Sequence, residues 1–511
     1  MKNTLEIQLN KLFQIGAGSD DVFLVNDDGE FSFRQVFEKV ELFSRFLDEV
    51  GLQRGDRLVY RLDKSVNQAC LIIACYWRGI VFVPLLPNQS DANVAHIITD
   101  CDPSLIVVDS DLNFGFYKSI NITEIIDFCD KLEGRKNLVL SNLMQDDLAA
   151  IIYSSGSTGR PKGICFSRRN ISDGAEIVAE YTGISADDVI LSPLSLNFDY
   201  GLNQVWVSIL KKCKLILHEF TYSTAFMRLI DELKPTVIPL MPVFIGSITD
   251  PRLRNKMGHL SGRSVRLITT SGGAVSQSFQ NNILDMFPNA DLMLMYGLTE
   301  AFRSTFLDPT ERVNRVGSVG KAIPGARVWV GDEKFNTLPP YEVGKIYHEG
   351  GCISLGYWKQ PEANAERFCP HPDFPNRKIL VTGDLGYQDE EGFLYFAGRA
   401  DTMIKTRGHR VSPYEIEQEV MKLSGIKSVV VTSVPDELLT NSIILAYVAD
   451  NSLAISDQEL KVRLSQLLPS HQVPDLIFHF EEFPTTGNQG KIDVRSVHES
   501  CLMRLENAKN V

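Results

Sequence analysis

Short apolar runs alternate with longer amphipathic segments along most of the chain, from Phe31 to about Leu380. The runs include PSLIVVD, LAAIIYS, DVILSPL, KLILHEF, PTVIPLM and VRLITTS, and SDGAEIVAEYTG is one of the segments between them. Runs of this length suit buried strands, and the segments between them are long enough for crossover helices. The alternation therefore predicts an α/β architecture with a mainly parallel sheet.

A different pattern begins after Arg399. The segment SPYEIEQEVMKLSG carries Ser412 and Glu415 at the spacing of a capping box, with a proline at the first helical position. Strand-like IKSVVVTSV and SIILAYVA follow, and SDQELKVRLSQLL repeats the helix start. The intervening GRADTMIKTRGHR is polar and basic, as a hinge would be. We therefore predict a large domain over residues 1–399 and a small α+β domain over residues 400–511.

Composition limits the classes of function. The 511 residues exceed what one hydrophobic core supports, and a formal net charge of −13 argues against nucleic acid or an anionic membrane as the main partner. The N-terminal segment lacks the pattern of a signal peptide, and the longest apolar stretch, ACLIIACYW, is too short to span a membrane. Nine cysteines without a CxxC pair suit a reducing compartment. We expect a cytoplasmic protein that binds neither nucleic acid nor membrane.

The segment IIYSSGSTGRPKG continues a strand into a loop rich in glycine and hydroxyl groups. Glycines let backbone N–H groups converge on a phosphate, hydroxyls add donors, and the lysine adds charge. The spacing differs from that of a Walker A loop, because Arg160 and Pro161 separate Gly159 from Lys162. The segment predicts a phosphate-binding loop of another type, and the alternative is a flexible surface loop.

The segment YSSGSTGRPKG closely resembles the signature loop of the adenylate-forming superfamily, which includes acyl-CoA synthetases, peptide-synthetase adenylation domains and luciferases. Further segments match in family order: FSFRQVFEKV, WRGIVFVPLLP, YGLTE, GCISLGYWKQPEANAERF, VTGDLGYQDEEGFLYFAGRADTMIKTRGHR and GNQGKIDVR. The resemblance covers essentially the whole chain. It implies an α/β fold, with a large N-terminal domain of helix-flanked sheets plus a distorted barrel-like subdomain, and a small mobile α+β C-terminal domain.

The resemblance also implies a reaction in two steps. A carboxylate attacks the α-phosphate of ATP to give an acyl-adenylate and pyrophosphate, and a phosphopantetheine thiol then displaces AMP. The first step needs charge neutralisation and in-line positioning and no protein nucleophile. The implied cofactors are ATP, Mg²⁺ and phosphopantetheine, carried either by a protein or by CoA.

Residues of the implied ATP site follow from the same motifs. Tyr296 would lie on the adenine, Thr299 would contact the α-phosphate, and Glu300 would hold Mg²⁺, which prefers oxygen ligands. Asp384 would bridge both ribose hydroxyls with support from Arg399, although each could instead belong to a surface ion pair. The other implied ATP contacts are Ser154, Ser155, Gly156, Ser157, Thr158 and Lys162 on the β- and γ-phosphates, and Gly272, Gly273, Ala274 and Gly297 near the base.

The resemblance assigns the catalytic lysine to the C-terminal domain. Lys491, in GNQGKID, would offset the charge that builds between the attacking carboxylate and the α-phosphate. Because the phosphate loop lies in the other domain, a domain rotation is implied, with Asp401 at the hinge. After rotation, Lys405 and Gly408 would lie along the thiol's path, and the alternative for Lys405 is a solvated hairpin.

Asp199 is the main clue to the substrate. It falls where amino-acid-activating members carry the aspartate that pairs with the substrate's α-ammonium, and the alternative is a helix N-cap. The segments NFDYGLNQ and YGLTEAFRST also resemble acyl-CoA ligases associated with exosortase and polysaccharide gene clusters, whose substrate is unclear. Arg303 would meet an acidic or hydrogen-bonding group of the substrate or would point to solvent. The implied pocket walls are Tyr200, Asn203, Val243, Thr269, Ser271, Met295, Arg303 and Ser304.

Three interpretations compete. The first is an adenylation enzyme that loads an amino acid onto the phosphopantetheine of a separate carrier protein. The second is an AMP-forming acyl-CoA ligase that uses free CoA. The third is a nucleotide-binding protein without ligase activity, which the presence of Lys491, Glu300 and the phosphate loop argues against.

Overall fold

A computed structural model describes residues 5–14, 19–110, 114–132, 143–155, 160–250, 262–423, 425–436, 438–449, 456–486 and 491–509. Within these ranges, helices cover two sheets of fourteen and seven strands. The helices are α1 (Leu5–Gln14), α2 (Phe33–Glu49), α3 (Val66–Arg78), α4 (Asp91–Cys101), α5 (Ile122–Asp130), α6 (Arg168–Tyr181), α7 (Asp199–Lys211), α8 (Ser223–Leu233), α9 (Pro242–Ile248), α10 (Gln277–Met286), α11 (Pro361–Arg367), α12 (Pro413–Val420), α13 (Asp457–Leu467) and α14 (Val494–Lys509). None of the helices in these ranges has the length and apolar character of a membrane span.

The large sheet has a parallel centre and an antiparallel extension. Its strands are, in spatial order, β16 (Ala326–Gly331), β17 (Gly344–Gly350), β20 (Lys378–Gln388), β21 (Leu394–Arg399), β15 (Ser318–Ala322), β14 (Thr305–Leu307), β13 (Asp291–Tyr296), β12 (Leu267–Thr270), β11 (Val237–Leu240), β9 (Val189–Ser192), β10 (Lys214–Leu217), β1 (Val22–Asn26) and β2 (Gly29–Ser32), with β19 (Phe368–Pro370) beside β20. Strands β13 to β1 in this order are parallel, whereas β14 to β17, β20 and β21 pair antiparallel. The antiparallel strands, where the barrel-like subdomain was expected, therefore continue the large sheet.

The smaller sheet is also mainly parallel. Its strands are, in spatial order, β18 (Gly356–Tyr357), β8 (Pro161–Ser167), β7 (Leu148–Ser155), β4 (Val81–Pro84), β3 (Arg57–Arg61), β5 (Leu105–Val108) and β6 (Ser119–Asn121). Every residue of β4, β5, β11 and β12 is buried, as expected for parallel strands with helices on both faces. The prediction of an α/β architecture is confirmed.

Helix α3 occupies the centre of this core. All residues from Gln68 to Trp77 are buried, including the polar Gln68. Its Tyr76 ring lies 4.9 Å from the Trp206 ring of α7. A helix that is apolar around its whole circumference needs partners on every side. The core is therefore continuous from α3 to the helix that carries Asp199.

The segment beyond Arg399 forms an α+β unit. Its strands are the hairpin β22 (Ile404–Thr406) and β23 (His409–Val411), the sheet of β24 (Ile426–Asp436), β25 (Thr440–Ala449) and β26 (Leu476–Phe480), and the short pair β27 (Thr485–Thr486) and β28 (Lys491–Ile492). Ser412 accepts the Glu415 N–H at the start of α12, as predicted. The reciprocal half of the predicted capping box differs, because the Glu415 carboxylate accepts a hydrogen bond from Gln472.

Candidate active site

Several of the predicted site residues lie at one edge of the large sheet. Tyr296 ends β13, the TSGGA segment follows β12, Val243 follows β11, and the connection after β9 leads to Asp199. These strands are parallel neighbours, so their carboxyl ends lie side by side. This edge is where open α/β sheets bind their ligands.

The predicted phosphate-binding segment lies at the turn between β7 and β8. Ser154 is directly opposite Lys162 in this antiparallel pair, and Gly156, Ser157 and Thr158 lie outside the described residues. A Cβ atom on Gly163 would lie 2.7 Å from Cγ2 of Ile151, so only glycine fits there. The strand ends therefore place Ser154, with its hydroxyl group, on one side of the loop and Lys162, with its ammonium group, on the other.

Lys162 is connected to the predicted metal-binding acid through one aromatic ring. Its Nζ atom lies 5.3 Å from the centroid of the Tyr357 ring, within the range of a cation–π contact. The Tyr357 hydroxyl donates to Oε1 of Glu300 over 2.7 Å. Burial and the neighbouring Glu300 carboxylate raise the pKa of Tyr357 above its ordinary value. Tyr357 therefore remains a hydrogen-bond donor and holds Glu300 beside the phosphate segment.

Tyr296 and Asp384, predicted to contact adenine and ribose, bond to each other. The Tyr296 hydroxyl donates to Oδ2 of Asp384 over 2.5 Å. Asp384 is 7% exposed, and burial raises the pKa of its carboxyl group. Nε of Arg399 lies 3.8 Å from Oδ1 of Asp384 and also contacts Asp401. Asp384 is therefore a buried acid in this cluster, and a surface ion pair is excluded for it.

Arg367, at the end of α11, is a cluster member that the motifs did not single out. Its Nη1 atom donates to the Val381 carbonyl oxygen over 2.8 Å. Its pKa is affected first by burial, which lowers it, and then by Tyr357, Glu300 and Asp384, which raise it above the ordinary value. The sequence offered one indirect signal for Arg367, the glycine in TGDL. A Cβ atom on Gly383 would lie 2.3 Å from Nη1 of Arg367, so a residue without a side chain makes room for the guanidinium.

Asp199 and Arg303, separated by about a hundred residues of sequence, form a buried ion pair. Nη1 of Arg303 lies 3.3 Å from Oδ2 of Asp199 and also donates to the carbonyl oxygen of Phe302. Arg303 is 4% exposed, and its guanidinium lies 4.5 Å from the centroid of the Tyr200 ring. Asp199 is the first residue of α7, whose N-cap is Phe198. The N-cap alternative for Asp199 and the solvent alternative for Arg303 are therefore wrong.

A small cavity lies beside this ion pair. Its volume is about 10 Å³, room for about one water molecule. Four predicted pocket residues line it, namely Tyr200, Thr269, Met295 and Arg303, together with residues that were not predicted: Val178, Tyr181, Thr182, Ile184, Gln204 and Val237.

The other predicted pocket walls lie elsewhere. Ser304 is fully buried against the antiparallel extension, where its hydroxyl lies 2.9 Å from Nδ1 of His348. Asn203 is also fully buried. Val243 packs in the apolar core formed around β11 and β12. Asp199 reaches the cavity only through its contact with Arg303, and Ser271 is buried beyond β12.

A lysine in the connection from β3 to α3 holds the segment that precedes Asp199. Nζ of Lys64 donates to the carbonyl oxygens of Ser192, Leu194 and His218, the last two over 2.7 and 3.1 Å. Burial lowers the pKa of Lys64 to about 7. All three carbonyl groups lie beyond the carboxyl ends of β9 and β10. Lys64 therefore ties the two sheets together at the entrance to α7.

The first turn of α7 packs directly on the same connection. A Cβ atom on Gly201 would lie 2.1 Å from the carbonyl oxygen of Ser195. Nε2 of Gln68, on α3, donates to Oδ1 of Asn197 over 2.8 Å. The position of the Asp199 carboxylate thus depends on a glycine and on buried side chains of the core.

The C-terminal residues of the predicted site lie on two hairpins. Lys491 pairs with Thr486 in β27–β28. Lys405 and Gly408 are exposed in the β22–β23 hairpin, and Asp401 is exposed just before it. Gly408 has a φ of 79° at the turn, a conformation that glycine adopts readily. Lys405 is thus exposed in this arrangement, and its place along the thiol's path after rotation stays a prediction.

Residues 14–358 match the family model described as "AMP-binding enzyme". The chain belongs to the AMP-binding enzyme family. The resemblance to adenylate-forming enzymes and the expectation of an enzyme are thereby confirmed.

Curated relatives of this AMP-binding enzyme include parts of several peptide synthases. Tyrocidine synthase 2 of Brevibacillus parabrevis is 28% identical over 94% of this chain and 13% of its own length. Surfactin synthase subunit 2 of Bacillus subtilis (strain 168) is 28% identical over 90% of this chain and 13% of its own length. This chain thus spans only a fraction of the length of these relatives.

Solved structures with the same fold include two from bacteria. ATP-bound MatB from Rhodopseudomonas palustris is 24% identical, with a TM-score of 0.85 over 98% of this chain and 99% of its own. MenE from Bacillus subtilis, an o-succinylbenzoate CoA synthetase in complex with the acyl-adenylate OSB-AMP, is 21% identical, with a TM-score of 0.83 over 96% and 97%. MenE has also been solved in complex with ATP and magnesium. The predicted fold is confirmed over nearly the whole AMP-binding enzyme.

The donor set of this AMP-binding enzyme fits Mg²⁺ held jointly with a nucleotide. Within the described ranges, no group of three or more His, Cys, Asp or Glu side chains could hold a metal by itself. Mg²⁺ is commonly bound by one or two carboxylates plus substrate phosphates and water. Glu300, beside the phosphate segment, provides such a carboxylate.

Proposed function

We propose that this enzyme activates a carboxylic acid, an amino acid in our interpretation, as an acyl-adenylate. ATP supplies the adenylate and pyrophosphate leaves. The acyl group is then transferred to the phosphopantetheine thiol of a separate carrier protein. The observation that carries the proposal is the contact path from Lys162 through Tyr357 to Glu300, which lies in one cluster with Tyr296 and Asp384.

In this proposal each group of residues neutralises or orients part of ATP. Lys162 and the hydroxyl-rich loop bind the β- and γ-phosphates, Thr299 binds the α-phosphate, and Glu300 holds Mg²⁺. Asp384 accepts hydrogen bonds from both ribose hydroxyls, since one carboxylate offers two acceptor oxygens. Tyr296 lies on the base, with Gly272, Gly273, Ala274 and Gly297 at its edge. Mg²⁺ would supply charge neutralisation at the phosphates.

Lys491 is the proposed catalytic residue of adenylate formation. Its ammonium group would offset the negative charge that develops as the carboxylate approaches the α-phosphate. We propose residues 1–399 and 400–511 as the two domains, with rotation at Asp401 bringing Lys491 to the site. Lys405 and Gly408 would approach it in the second step. A cytoplasmic location stays a prediction.

The amino-acid interpretation rests on Asp199. A carboxylate beside the small cavity, in contact with its lining residue Arg303, suits an α-ammonium group. Asp199 already has one cationic partner in Arg303. An incoming ammonium group must therefore share the Asp199 carboxylate with Arg303 or displace Arg303 from it. Several curated relatives are peptide synthases, which favours an amino acid and a carrier protein.

The second candidate is an AMP-forming CoA ligase. It is favoured by the same buried ion pair, because Arg303 leaves Asp199 already neutralised for a substrate without an ammonium group. MenE, which has the same fold, is a CoA synthetase. The two candidates share the first half-reaction and differ in the acid and in the thiol.

ATP–pyrophosphate exchange with a panel of amino acids and simple carboxylic acids tests the proposal. We expect exchange with an amino acid and its loss in Glu300→Gln, while the exposed-site control Glu342→Gln retains it. Thioester formation is then compared between carrier proteins and free CoA. Exchange with simple acids only, followed by transfer to CoA, would replace the first candidate by the second, and no exchange at all would refute both.

A further inference from the structure

The buried guanidinium of Arg303 has one edge without a partner. Its Nη1 atom contacts Asp199 and the Phe302 carbonyl oxygen. Its Nε and Nη2 atoms are buried and have no hydrogen-bond acceptor of good geometry within the described ranges. An unpaired polar group removed from water is costly, and more so when it is charged. The Tyr181 hydroxyl lies nearby but carries no charge, so the open edge calls for an anionic acceptor that the described residues do not supply.

Arg303 lines the small cavity together with Tyr200, Thr269 and Met295. The Tyr200 hydroxyl is already bonded to Thr269 Oγ1 over 2.7 Å. The Tyr181 hydroxyl likewise donates to the Met295 sulfur over 3.2 Å. Both hydroxyls thus have a hydrogen-bond partner, whereas Arg303 is the cavity-lining cation and its Nε and Nη2 atoms face no counter-charge among the lining residues.

The geometry of the open edge selects a carboxylate. The Nε and Nη2 hydrogens of an arginine form a planar fork that matches the two oxygens of a carboxylate. Stacking on Tyr200 fixes the plane of the guanidinium, because its carbon lies 4.5 Å from the ring centroid. A fixed fork loses little entropy on binding and discriminates strongly against a ligand that lacks two acceptors.

Charge balance points the same way. Asp199 and Arg303 together are neutral. A substrate with one ammonium group and no second anion would take Asp199 from Arg303 and leave a buried cation without a counter-charge, which is unfavourable. A substrate with both an ammonium group and a second carboxylate pairs with Asp199 and Arg303 at once. Both buried charges then keep a partner.

We propose that the activated acid carries a second carboxylate, which the Nε–Nη2 edge of Arg303 binds. The inference rests on the proposed function and names the substrate class, which is an amino dicarboxylic acid. One carboxylate reacts with ATP, the ammonium group pairs with Asp199, and the second carboxylate pairs with Arg303. Because the cavity of about 10 Å³ has room for about one water molecule in its present form, the second carboxylate must displace that water and widen the cavity, so short dicarboxylic acids are the first to test.

The test is ATP–pyrophosphate exchange with eight acids that vary two groups independently. Aspartate and glutamate carry both groups, asparagine and glutamine replace the second carboxylate by an amide, succinate and glutarate lack the ammonium group, and propionate and butyrate lack both. We expect kcat/KM for aspartate or glutamate to exceed that of the matching amide by about 100-fold or more. The amides are nearly isosteric, so the ratio isolates the second carboxylate.

Each outcome separates the inference from the proposed function. The inference is overturned if kcat/KM for an amide or a monocarboxylic acid equals that for its dicarboxylic counterpart. Adenylate formation would stand in that case. Such a result would mean that a water molecule satisfies the Arg303 edge. Exchange with succinate or glutarate in preference to the amino acids supports the second carboxylate and refutes the amino-acid part. Exchange with none of the eight acids overturns the inference, and the proposed function fails as well only if the wider panel of amino acids and carboxylic acids is also inactive.

Two variants test the role of Arg303. Arg303→Lys keeps a cation beside Asp199 but removes the fork, so the preference for carboxylate over amide should fall at least tenfold while KM for ATP stays unchanged. The double variant Asp199→Asn with Arg303→Gln leaves no unpaired buried charge and should lose the preference altogether. Thermal unfolding checks that both variants are folded.

Binding without turnover gives a second readout. The aspartyl and asparaginyl sulfamoyl adenosines are non-reacting mimics of the two adenylates. Wild-type enzyme should bind the aspartyl compound at least tenfold more tightly in calorimetry, and Arg303→Lys should bind both equally. Equal binding by the wild type would overturn the inference.

Discussion

His348 makes this enzyme sensitive to acid. It lies on β17, is fully buried, and its Nδ1 atom is 2.9 Å from the hydroxyl of Ser304, the residue after Arg303. Its Nε2 atom is buried without a hydrogen-bond partner. Burial lowers the pKa of His348 from 6.5 to about 4. The imidazole is therefore neutral in the folded protein at pH values where the unfolded chain is already protonated.

The sign and size of the effect follow from these two pKa values. Because the folded-state pKa is the lower one, the unfolded chain binds more protons between pH 6.5 and 4, and stability falls as the pH falls through this window. The contribution of His348 is fully present above pH 6.5. One pKa unit corresponds to about 1.4 kcal/mol, so the loss reaches about 2.5 kcal/mol at pH 4.5 and about 3.4 kcal/mol well below pH 4.

Urea unfolding of wild type and His348→Gln between pH 7.5 and 4.5 measures this contribution. The variant has no titrating group at this position, so the wild type should lose about 2.5 kcal/mol more than the variant over this range. His409→Gln removes an exposed histidine of the β22–β23 hairpin and should match the wild type. Parallel pH profiles for wild type and His348→Gln would refute the assignment of a buried neutral imidazole.

Three further substitutions probe the support of the site. Gly201→Ala would place a Cβ atom 2.1 Å from the Ser195 carbonyl oxygen, so we expect about 1–3 kcal/mol lower stability and a higher KM for the acid; an unchanged KM would show that α7 does not move. Lys64→Met removes the ammonium that holds the connection before α7 and should raise KM for the acid while leaving KM for ATP unchanged; equal rises in both would contradict this. Tyr296→Phe removes the donor to Asp384 and should raise KM for ATP about tenfold, the equivalent of ~1.4 kcal/mol; wild-type KM would contradict it.

The elements with local signals were predictable from the sequence. The parallel strands read as short apolar runs because helices cover both of their faces. The start of α12 was predictable because an N-cap depends on neighbouring residues, and Ser412 accepts the Glu415 N–H as expected. The other half of the capping box was not predictable, because Gln472, distant in sequence, donates a hydrogen bond to the Glu415 carboxylate.

The contacts that shape the candidate site were less predictable, since they join residues far apart in sequence. Asp199 and Arg303 were each assigned to the substrate, yet they pair with each other. Ser304 was expected at the pocket wall, but its hydroxyl lies against His348 on β17, whereas its neighbour Arg303 lines the cavity. Motifs identify which residue types a site needs, and tertiary packing decides which partners they have.

Adenylate formation by Lys491 is the claim on which the functional account depends. The direct measurement compares Lys491→Ala with Lys427→Ala, an exposed lysine of β24, in ATP–pyrophosphate exchange and in thioester formation from a supplied acyl-adenylate. We expect Lys491→Ala to lose exchange while retaining most thioester formation, and Lys427→Ala to retain both. Full exchange activity in Lys491→Ala, or equal loss of both reactions, would contradict the account.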